Sequence, residues 1–160
     1  MDICFKEANY TFNFRVAALI RNGNKILVEK NNAVDYYSLV GGRCKLGEDS
    51  ITALIREIKE ETGEDVSFIR SVGMLENFFI SRYTNSPYHE ILIIHELEFI
   101  NKEIYQQTEI INLEEKYNAK FYWREISSLD KCKPKIVFEH LNDEAFFHLI
   151  VKDEKIKDQV

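Results

Sequence analysis

Apolar and polar positions alternate near the start of the chain, a pattern typical of β-strands. Between Phe12 and Ile20 every second residue is apolar, and this period of two predicts a strand. The turn residues Asn22-Gly23-Asn24 follow, and Lys25–Glu29 is predicted to return as the second strand of a hairpin. A further short strand is predicted at Tyr36–Val40, running directly into Gly41-Gly42.

The segment after these strands changes to a period of 3.6 residues, which predicts a helix. Asp49 or Ser50 suits its N-cap, and Gly63 can end it in the left-handed conformation. The helix carries an apolar face and an adjacent acidic face. The apolar positions are Ile51, Leu54, Ile55, Ile58 and Thr62, and the acidic positions are Glu57, Glu60, Glu61 and Glu64. We therefore expect one face to pack on a sheet while the other borders a cleft.

The remaining segments predict three more strands and two more helices. The strands are Val66–Phe79 and Tyr88–Phe99, which we expect to pair, and Phe121–Glu125; the helices are Pro134–Leu141 and Glu144–Val151. Pro134 suits the start of its helix, and the charged tail over about residues 152–160 is expected to fray. Strands interrupted by few helices indicate an α/β fold, a mixed sheet with helices packed on it.

Length, charge and cysteine usage narrow the class of protein. The 160 residues suit a single domain over 1–160, and the net charge of −6 argues against a DNA-binding protein. Three widely spaced cysteines predict reduced thiols and a cytoplasmic location. The N-terminus lacks the pattern of a signal peptide, and the apolar runs are too short to span a membrane.

One stretch, GRCKLGEDSITALIREIKEETG from Gly42 to Gly63, carries most of the chemical information. Glu57, Glu60 and Glu61 lie on one side of the predicted helix, where like charges are costly unless a cation sits against them. Carboxylates are the ligands that hard divalent cations prefer. The stretch therefore predicts a metal site that holds a phosphorylated compound.

The same stretch resembles the Nudix box, the signature of the Nudix hydrolase family. Gly42, Glu48, Arg56-Glu57-Ile58, Glu60-Glu61 and Gly63 match the motif, whereas its last aliphatic position is Glu64. The resemblance implies an α/β/α sandwich with a mixed β-sheet. It also implies a site for Mg²⁺ or Mn²⁺, whose ligands would be Glu57, Glu60, Glu61 and the backbone carbonyl of Gly42. Arg56 would orient a glutamate and partly neutralise the cluster.

The general base is left open between glutamates inside and outside the box. The candidates are Glu57, Glu61, Glu90, Glu114 and Glu115. Glu48 suits the helix dipole at its position, and it is also a candidate for contact with metal or substrate.

Substrate contacts are expected from side chains near the cleft. Arg15, on the opposite face of its strand from Phe14 and Val16, could hold a phosphate bidentately. Glu48 and Glu90 are further candidates, and Phe78 represents a group of aromatic residues on which a planar group could stack. The whole group is Tyr36, Tyr37, Phe78, Phe79, Tyr83 and Tyr88.

The resemblance implies metal-dependent hydrolysis of a diphosphate linkage in a nucleoside diphosphate joined to another moiety, by water attack on phosphorus. The expected partner is a nucleotide-type small molecule, and since many relatives are dimers a homodimer is also considered. The alternative is a non-catalytic Nudix-like module that senses nucleotides or binds protein. That alternative is disfavoured because such modules have usually lost box glutamates.

Overall fold

The computed structural model describes residues 1–114, 118–128 and 130–157. Ten strands and three helices follow one another, with 3₁₀ turns at Lys102–Gln106 and Ile126–Ser128. In chain order they are β1 (Cys4–Glu7), β2 (Tyr10–Leu19), β3 (Arg21–Asn22), β4 (Lys25–Lys30), β5 (Ser38–Arg43), α1 (Ser50–Thr62), β6 (Val66–Ile80), β7 (Pro87–Phe99), β8 (Glu109–Ile111), β9 (Lys120–Glu125), α2 (Lys135–His140), β10 (Phe147–Lys152) and α3 (Glu154–Lys157).

All ten strands belong to one mixed sheet. The main order is β10-β6-β7-β2-β5-β4-β9-β8, while β1 pairs with β2 and β3 with β4. The pairs β10–β6 and β2–β7 are parallel, and the other pairs are antiparallel. The predicted pairing of the two long strands is confirmed in β6 and β7.

Helices cover both faces of the sheet, as the sequence predicts. On one side, here called the α1 face, Ala53, Leu54 and Ile58 pack with Val16 and Val40. On the other side, the α2 face, the buried residues of α2 pack with residues of the central strands. They are Val137, Phe138, Ala17, Leu75 and Leu92. Alternate residues of β2 thus serve two cores, and the α/β/α arrangement is confirmed.

The strands β4 and β5 separate soon after they pair. Their register covers only Val28–Leu39 and Glu29–Ser38, whereas the rest of β5 pairs with β2. Backbone groups of β5 beyond Leu39 therefore lie beside a gap in the sheet, and α1 packs against this part of β5. The separation brings irregular backbone to the helix that carries the acidic residues.

Two predicted elements differ from the structure. The turn at Gly23 joins only the short pair β3–β4, so Lys25–Glu29 does not pair with the first long strand. The segment Glu144–Val151 is not a helix, because Phe147, Leu149 and Val151 alternate into the core as part of β10. A period of two outweighs helix propensity in that segment.

The charged tail is also partly ordered. Glu154–Lys157 forms α3, and Ile156 is buried against the rest of the protein. Residues 158–160 of the predicted fraying tail lie outside the described residues. Within the described ranges, no helix has the length and apolar character needed to cross a membrane.

Candidate active site

Helix α1 begins and ends where the sequence predicts. The Asp49 carboxylate accepts hydrogen bonds from the backbone N–H groups of Ile51 and Thr52, at 3.0 and 2.9 Å. Gly63 ends the helix with φ of 76° and donates its N–H to the Lys59 carbonyl at 2.9 Å. These caps fix the register of α1, so the glutamates one turn apart face the same part of β5.

Arg56 connects most of the acidic residues to each other. Its guanidinium donates to Glu48 at 2.6 and 2.9 Å, to Glu57 at 2.7 Å and to Glu60 at 3.0 Å. It also donates to the Arg43 carbonyl at 3.0 Å, which ties the helix to β5. The hydrogen bonds from Arg56 lower the pKa of Glu48 to about 2. One partly buried cation therefore holds three neighbouring carboxylates in hydrogen bonds and favours the ionised form of Glu48.

Glu61 lies outside this arrangement and is the least satisfied carboxylate of the box. It is only 7% exposed, and its Oε2 atom has no hydrogen-bond partner. Burial raises its pKa to about 9, and the neighbouring charges of Glu29, Glu57 and Glu114 add to this effect. A buried carboxylate among other carboxylates is costly, so the position suits a group that a cation stabilises.

The side chains suit a hard cation in type, although they do not yet enclose one. Within residues 1–114, 118–128 and 130–157, no three His, Cys, Asp or Glu side chains converge into a ready cage. Glu57 and Glu60 are turned toward Arg56, and Glu60 is 40% exposed. The unpartnered Glu61 oxygen and the excess of carboxylates are the features that fit Mg²⁺ or Mn²⁺.

Gly41 and Gly42 allow the helix and strands to approach closely. A Cβ atom on Gly42 would collide with the Glu57 carboxylate, and one on Gly41 would collide with the Val16 carbonyl. Gly41 therefore requires glycine, because the obstacle is backbone, whereas a side chain at Gly42 would force the Glu57 carboxylate to move. The spacing of the box glycine is explained by its contact with Glu57.

The orientation of β5 bears on the predicted carbonyl ligand. The Cys44 N–H donates to Phe14 in β2 at 3.0 Å, and backbone groups alternate in direction along a strand. The carbonyl of Gly42 therefore faces β2, where it is engaged in the sheet. The carbonyl of Gly41 points to the same side of β5 as the carbonyl of Arg43, which faces α1. The carbonyl that faces the gap therefore belongs to Gly41, whereas the metal ligand predicted from the sequence is the carbonyl of Gly42; a metal contact at either glycine stays a prediction.

The four predicted substrate-binding residues do not converge on one point. Arg15 lies on the α2 face of the sheet and acts electrostatically on Glu61. Glu90 is buried on the same face and accepts a hydrogen bond from Asn13 at 2.8 Å. Glu48 is occupied by Arg56, and Phe78 lies on the α1 face, stacked on His89 at 4.3 Å. Only Arg15 and Glu90 remain grouped, and Phe78 is separated from them by the sheet.

The candidate general bases outside the box differ in their distance from the box glutamates. Glu114 is exposed and close enough to raise the pKa of both Glu57 and Glu61. Glu90 lies on the opposite face of the sheet, bound to Asn13. Glu115 lies outside the described residues.

Sequence reasoning missed two residues that organise the α2 face. Asn13 bridges Glu90 and Arg43, since its amide donates to Glu90 and its carbonyl oxygen accepts from Arg43 Nε at 2.9 Å. The polar residues Asn13 and Arg15 occupy alternate positions of an otherwise apolar strand. This alternation in the sequence indicates that polar side chains lie together on the α2 face.

Comparisons with known proteins agree with this architecture. A similar structure is a NUDIX hydrolase from Nitrosomonas europaea, with a TM-score of 0.63 and 12% identity, covering 88% of this chain and 79% of that one. Another is a MutT NUDIX hydrolase from Burkholderia pseudomallei, with a TM-score of 0.60 and 18% identity, covering 81% and 98%. At these identities the likeness concerns the fold.

Sequence comparison adds a relative and a family. The NAD-capped RNA hydrolase NudC from Vibrio atlanticus is 38% identical over 60 residues, which cover 36% of this chain and 22% of that protein. The chain thus spans about a fifth of the length of this curated relative. The NUDIX domain family matches residues 11–137, which include β2, the box helix and the start of α2. With most of its length matched by that profile, the chain belongs to the NUDIX family, as the box predicted.

Proposed function

We propose that this protein hydrolyses a diphosphate linkage between a nucleoside and another moiety, by attack of water on phosphorus. The observation that carries the proposal is the buried, unpartnered carboxylate oxygen of Glu61 beside Glu57 on α1. Such an arrangement destabilises the protein unless it serves a ligand. A divalent cation with a phosphorylated substrate is the ligand that these carboxylates and the family membership favour.

Glu57, Glu60 and Glu61 would hold Mg²⁺ or Mn²⁺, together with the carbonyl of Gly41. When bound, such a cation offsets phosphate charge and acidifies a water molecule. Arg56 forms ion pairs with Glu57 at 2.7 Å and with Glu60 at 3.0 Å. It therefore keeps these side chains near β5, from where they can turn toward a cation.

We propose Glu114 as the general base that removes a proton from the attacking water. Its support is its position, because it acts on Glu57 and Glu61 and remains exposed to solvent. Its backbone N–H is fixed by the side chain of Asn112 at 2.8 Å. Glu57 is less suitable because Arg56 occupies one of its oxygens.

The direct test is hydrolysis of a substrate panel with Mg²⁺ or Mn²⁺. The panel contains nucleotide sugars, dinucleoside polyphosphates, nucleoside triphosphates, NADH and NAD-capped RNA, the last because of the partial match to NudC. We expect at least one compound to be cleaved, with ¹⁸O from labelled water appearing on a product phosphate. Absence of turnover by folded protein with bound metal would refute the proposal. Tight nucleotide binding without turnover would instead support the non-catalytic alternative.

We also propose that the protein acts in the cytoplasm. All three cysteines are free thiols, and Cys44 and Cys132 are buried. Burial raises the pKa of both thiols to about 11, which keeps them protonated and unreactive. This proposal is tested by locating the tagged protein in fractionated cells of its source.

A further inference from the structure

Two adjacent tyrosines on the loop before β5 are surrounded by cations. Around Tyr36, the Arg82 guanidinium carbon lies 5.4 Å from the ring centroid and the Lys133 Nζ atom 5.9 Å from it. Around Tyr37, the corresponding distances are 4.4 Å for Arg124 and 5.9 Å for Lys30. All four cations lie within reach of a cation–π attraction. We refer to the six residues as the Tyr36–Tyr37 cluster.

The cluster is assembled by hydrogen bonds between distant segments. The Tyr37 N–H donates to the Lys131 carbonyl at 2.9 Å, and the Lys133 N–H donates to the Tyr37 carbonyl at 2.8 Å. Arg124 is fixed in addition by a bond from Nη2 to the Ser128 carbonyl at 3.2 Å. The loop before β5 is thereby joined to the loop before α2, which holds the Lys133 backbone beside Tyr37.

The cluster is positively charged on a protein whose net charge is −6. Its four cations lie near the carboxylates of Asp35, Glu90 and Asp130. Asp35 pairs with Arg82 at 2.7 Å, Glu90 acts on Tyr36, and Asp130 acts with Arg124 on Cys132. Because ring faces replace carboxylates as partners of several cations, their charges remain available to an anion.

Arg15 links the cluster to the box glutamates. It pairs in register with Arg43 at the end of β5, and the Arg43 carbonyl accepts a hydrogen bond from Arg56 on α1 at 3.0 Å. Tyr36 and Tyr37 directly precede the other end of β5. A substrate that extends along β5 therefore reaches both regions.

We propose that the Tyr36–Tyr37 cluster binds a second phosphate group of the substrate, one that lies beyond the diphosphate being cleaved. The inference rests on the proposed function, since it assumes that the diphosphate is bound at the box. Arginine and lysine side chains held by tyrosine rings are suited to a phosphate because they are preorganised and only partly hydrated. The second phosphate belongs either to a nucleotide chain or to a small nucleotide with an additional phosphate.

The test measures binding alone, by isothermal titration of the full chain at low salt without metal. Adenosine 5′-monophosphate and adenosine 3′,5′-bisphosphate are compared because they differ by one phosphate. We expect wild-type protein to bind the bisphosphate about tenfold more tightly. In the double variant R82Q/K133Q the ratio should fall to about one. The control K6Q/K155Q also removes two exposed positive charges, at positions outside the Tyr36–Tyr37 cluster, and should keep the wild-type ratio.

The proposal would be overturned if wild-type protein bound the two nucleotides equally tightly. It would also be overturned if folded R82Q/K133Q kept the tenfold preference for the bisphosphate. A six-nucleotide RNA with a 5′-hydroxyl distinguishes the two sources of the phosphate. Binding tighter than that of the bisphosphate, with a steeper salt dependence, indicates a nucleotide chain, and equal or weaker binding indicates a small nucleotide. Since no hydrolysis is measured, failure of the proposed activity and failure of this inference remain distinguishable.

Discussion

The protein contains two clusters of like charge that are stabilised in different ways. On α1, Glu48, Glu57 and Glu60 share the guanidinium of Arg56, while Glu61 is buried without such a partner. Around Tyr36 and Tyr37, the cations lie over aromatic rings, and Arg82 also pairs with the exposed Asp35 carboxylate. Arg56 holds the acidic cluster together at every position except Glu61 and offsets only part of its negative charge, whereas aromatic rings are the main partners of the basic cluster.

This difference indicates what each cluster can do. The remaining unsatisfied group on α1 is a single buried oxygen, which favours one compact ligand such as a metal ion. The basic cluster is more open, since the side chain of Arg82 is 52% exposed. It suits a solvated anion that binds more weakly and contributes selectivity. Variants of each cluster should therefore affect different quantities, namely turnover and stability for α1 and ligand affinity for the tyrosines.

The largest effect is expected from Glu61→Gln. Loss of the charge removes a proposed ligand, and turnover of the best panel compound should fall by roughly 100-fold or more. The thermal unfolding midpoint should stay equal or rise, because an uncompensated buried carboxylate is removed. Glu64→Gln is the matched control, since Glu64 lies just after the helix and should tolerate the change. Turnover close to that of wild type in Glu61→Gln would exclude this residue as a ligand.

The second effect concerns the contact between strand and helix. In Gly42→Ala the new Cβ would displace the Glu57 carboxylate, and a shift of about 1 Å lowers turnover by up to roughly 100-fold. Steady-state kinetics with a metal titration measures this loss. Gly23→Ala is the control, because its Cβ meets nothing within 4 Å and its φ of 59° affects stability alone. Equal turnover in both variants would show that the position of Glu57 is not important.

The box helix follows from the sequence because its determinants are local. Asp49, the 3.6-residue period and Gly63 lie within one short segment, and each has the predicted role. The raised pKa of Glu61 was less predictable, since it depends on burial and on the charges of Glu29 in β4 and of Glu114, which lie far away in the sequence. The helical period predicts the side of α1 on which Glu61 lies. It does not predict which residues from other segments pack over it.

The errors arise where distant segments meet. The strand β10 pairs with β6 through Phe147 and Gly73, and the Phe147 ring occupies the space that a Cβ on Gly73 would fill. Nothing in the segment Glu144–Val151 alone reveals that partner. The Tyr36–Tyr37 cluster is similar, because its residues range from Lys30 to Lys133 in the sequence. Sequence patterns therefore located the local acidic cluster and not the basic one.

A third prediction concerns the dependence of stability on pH. The pKa of Glu48 is about 2 in the folded protein, mainly because of hydrogen bonds from Arg56. Its ionised form stabilises the fold fully above the unfolded-state value of 4.5, and this contribution is lost as the pH falls from 4.5 toward 2. Glu48→Gln should therefore cost about 1–3 kcal/mol at pH 7.

Urea unfolding of wild type and Glu48→Gln at several pH values measures this effect. The difference between the two proteins should shrink steadily below pH 4.5. Glu98→Gln is the control, because Glu98 is 51% exposed and its partners, the Ser67 hydroxyl at 3.3 Å and Lys102 at 3.5 Å, are both at the surface. A difference that is independent of pH would contradict the assigned role of the Arg56 ion pair.

The smallest effect on stability is expected in the basic cluster, from Arg82→Gln. Its ion pair with Asp35 is short, but the side chains of Arg82 and Asp35 are 52% and 85% exposed. Such exposed pairs contribute less than about 0.5 kcal/mol to the free energy of unfolding. Arg56→Gln, the matched change on α1, removes five hydrogen bonds from a side chain only 20% exposed and should destabilise the protein by about 2 kcal/mol or more. If Arg82→Gln and Arg56→Gln lowered the free energy of urea unfolding equally, Arg82 would be a cation that stabilises the fold. The distinction between an acidic cluster that stabilises the fold and a basic cluster reserved for a ligand would then fail.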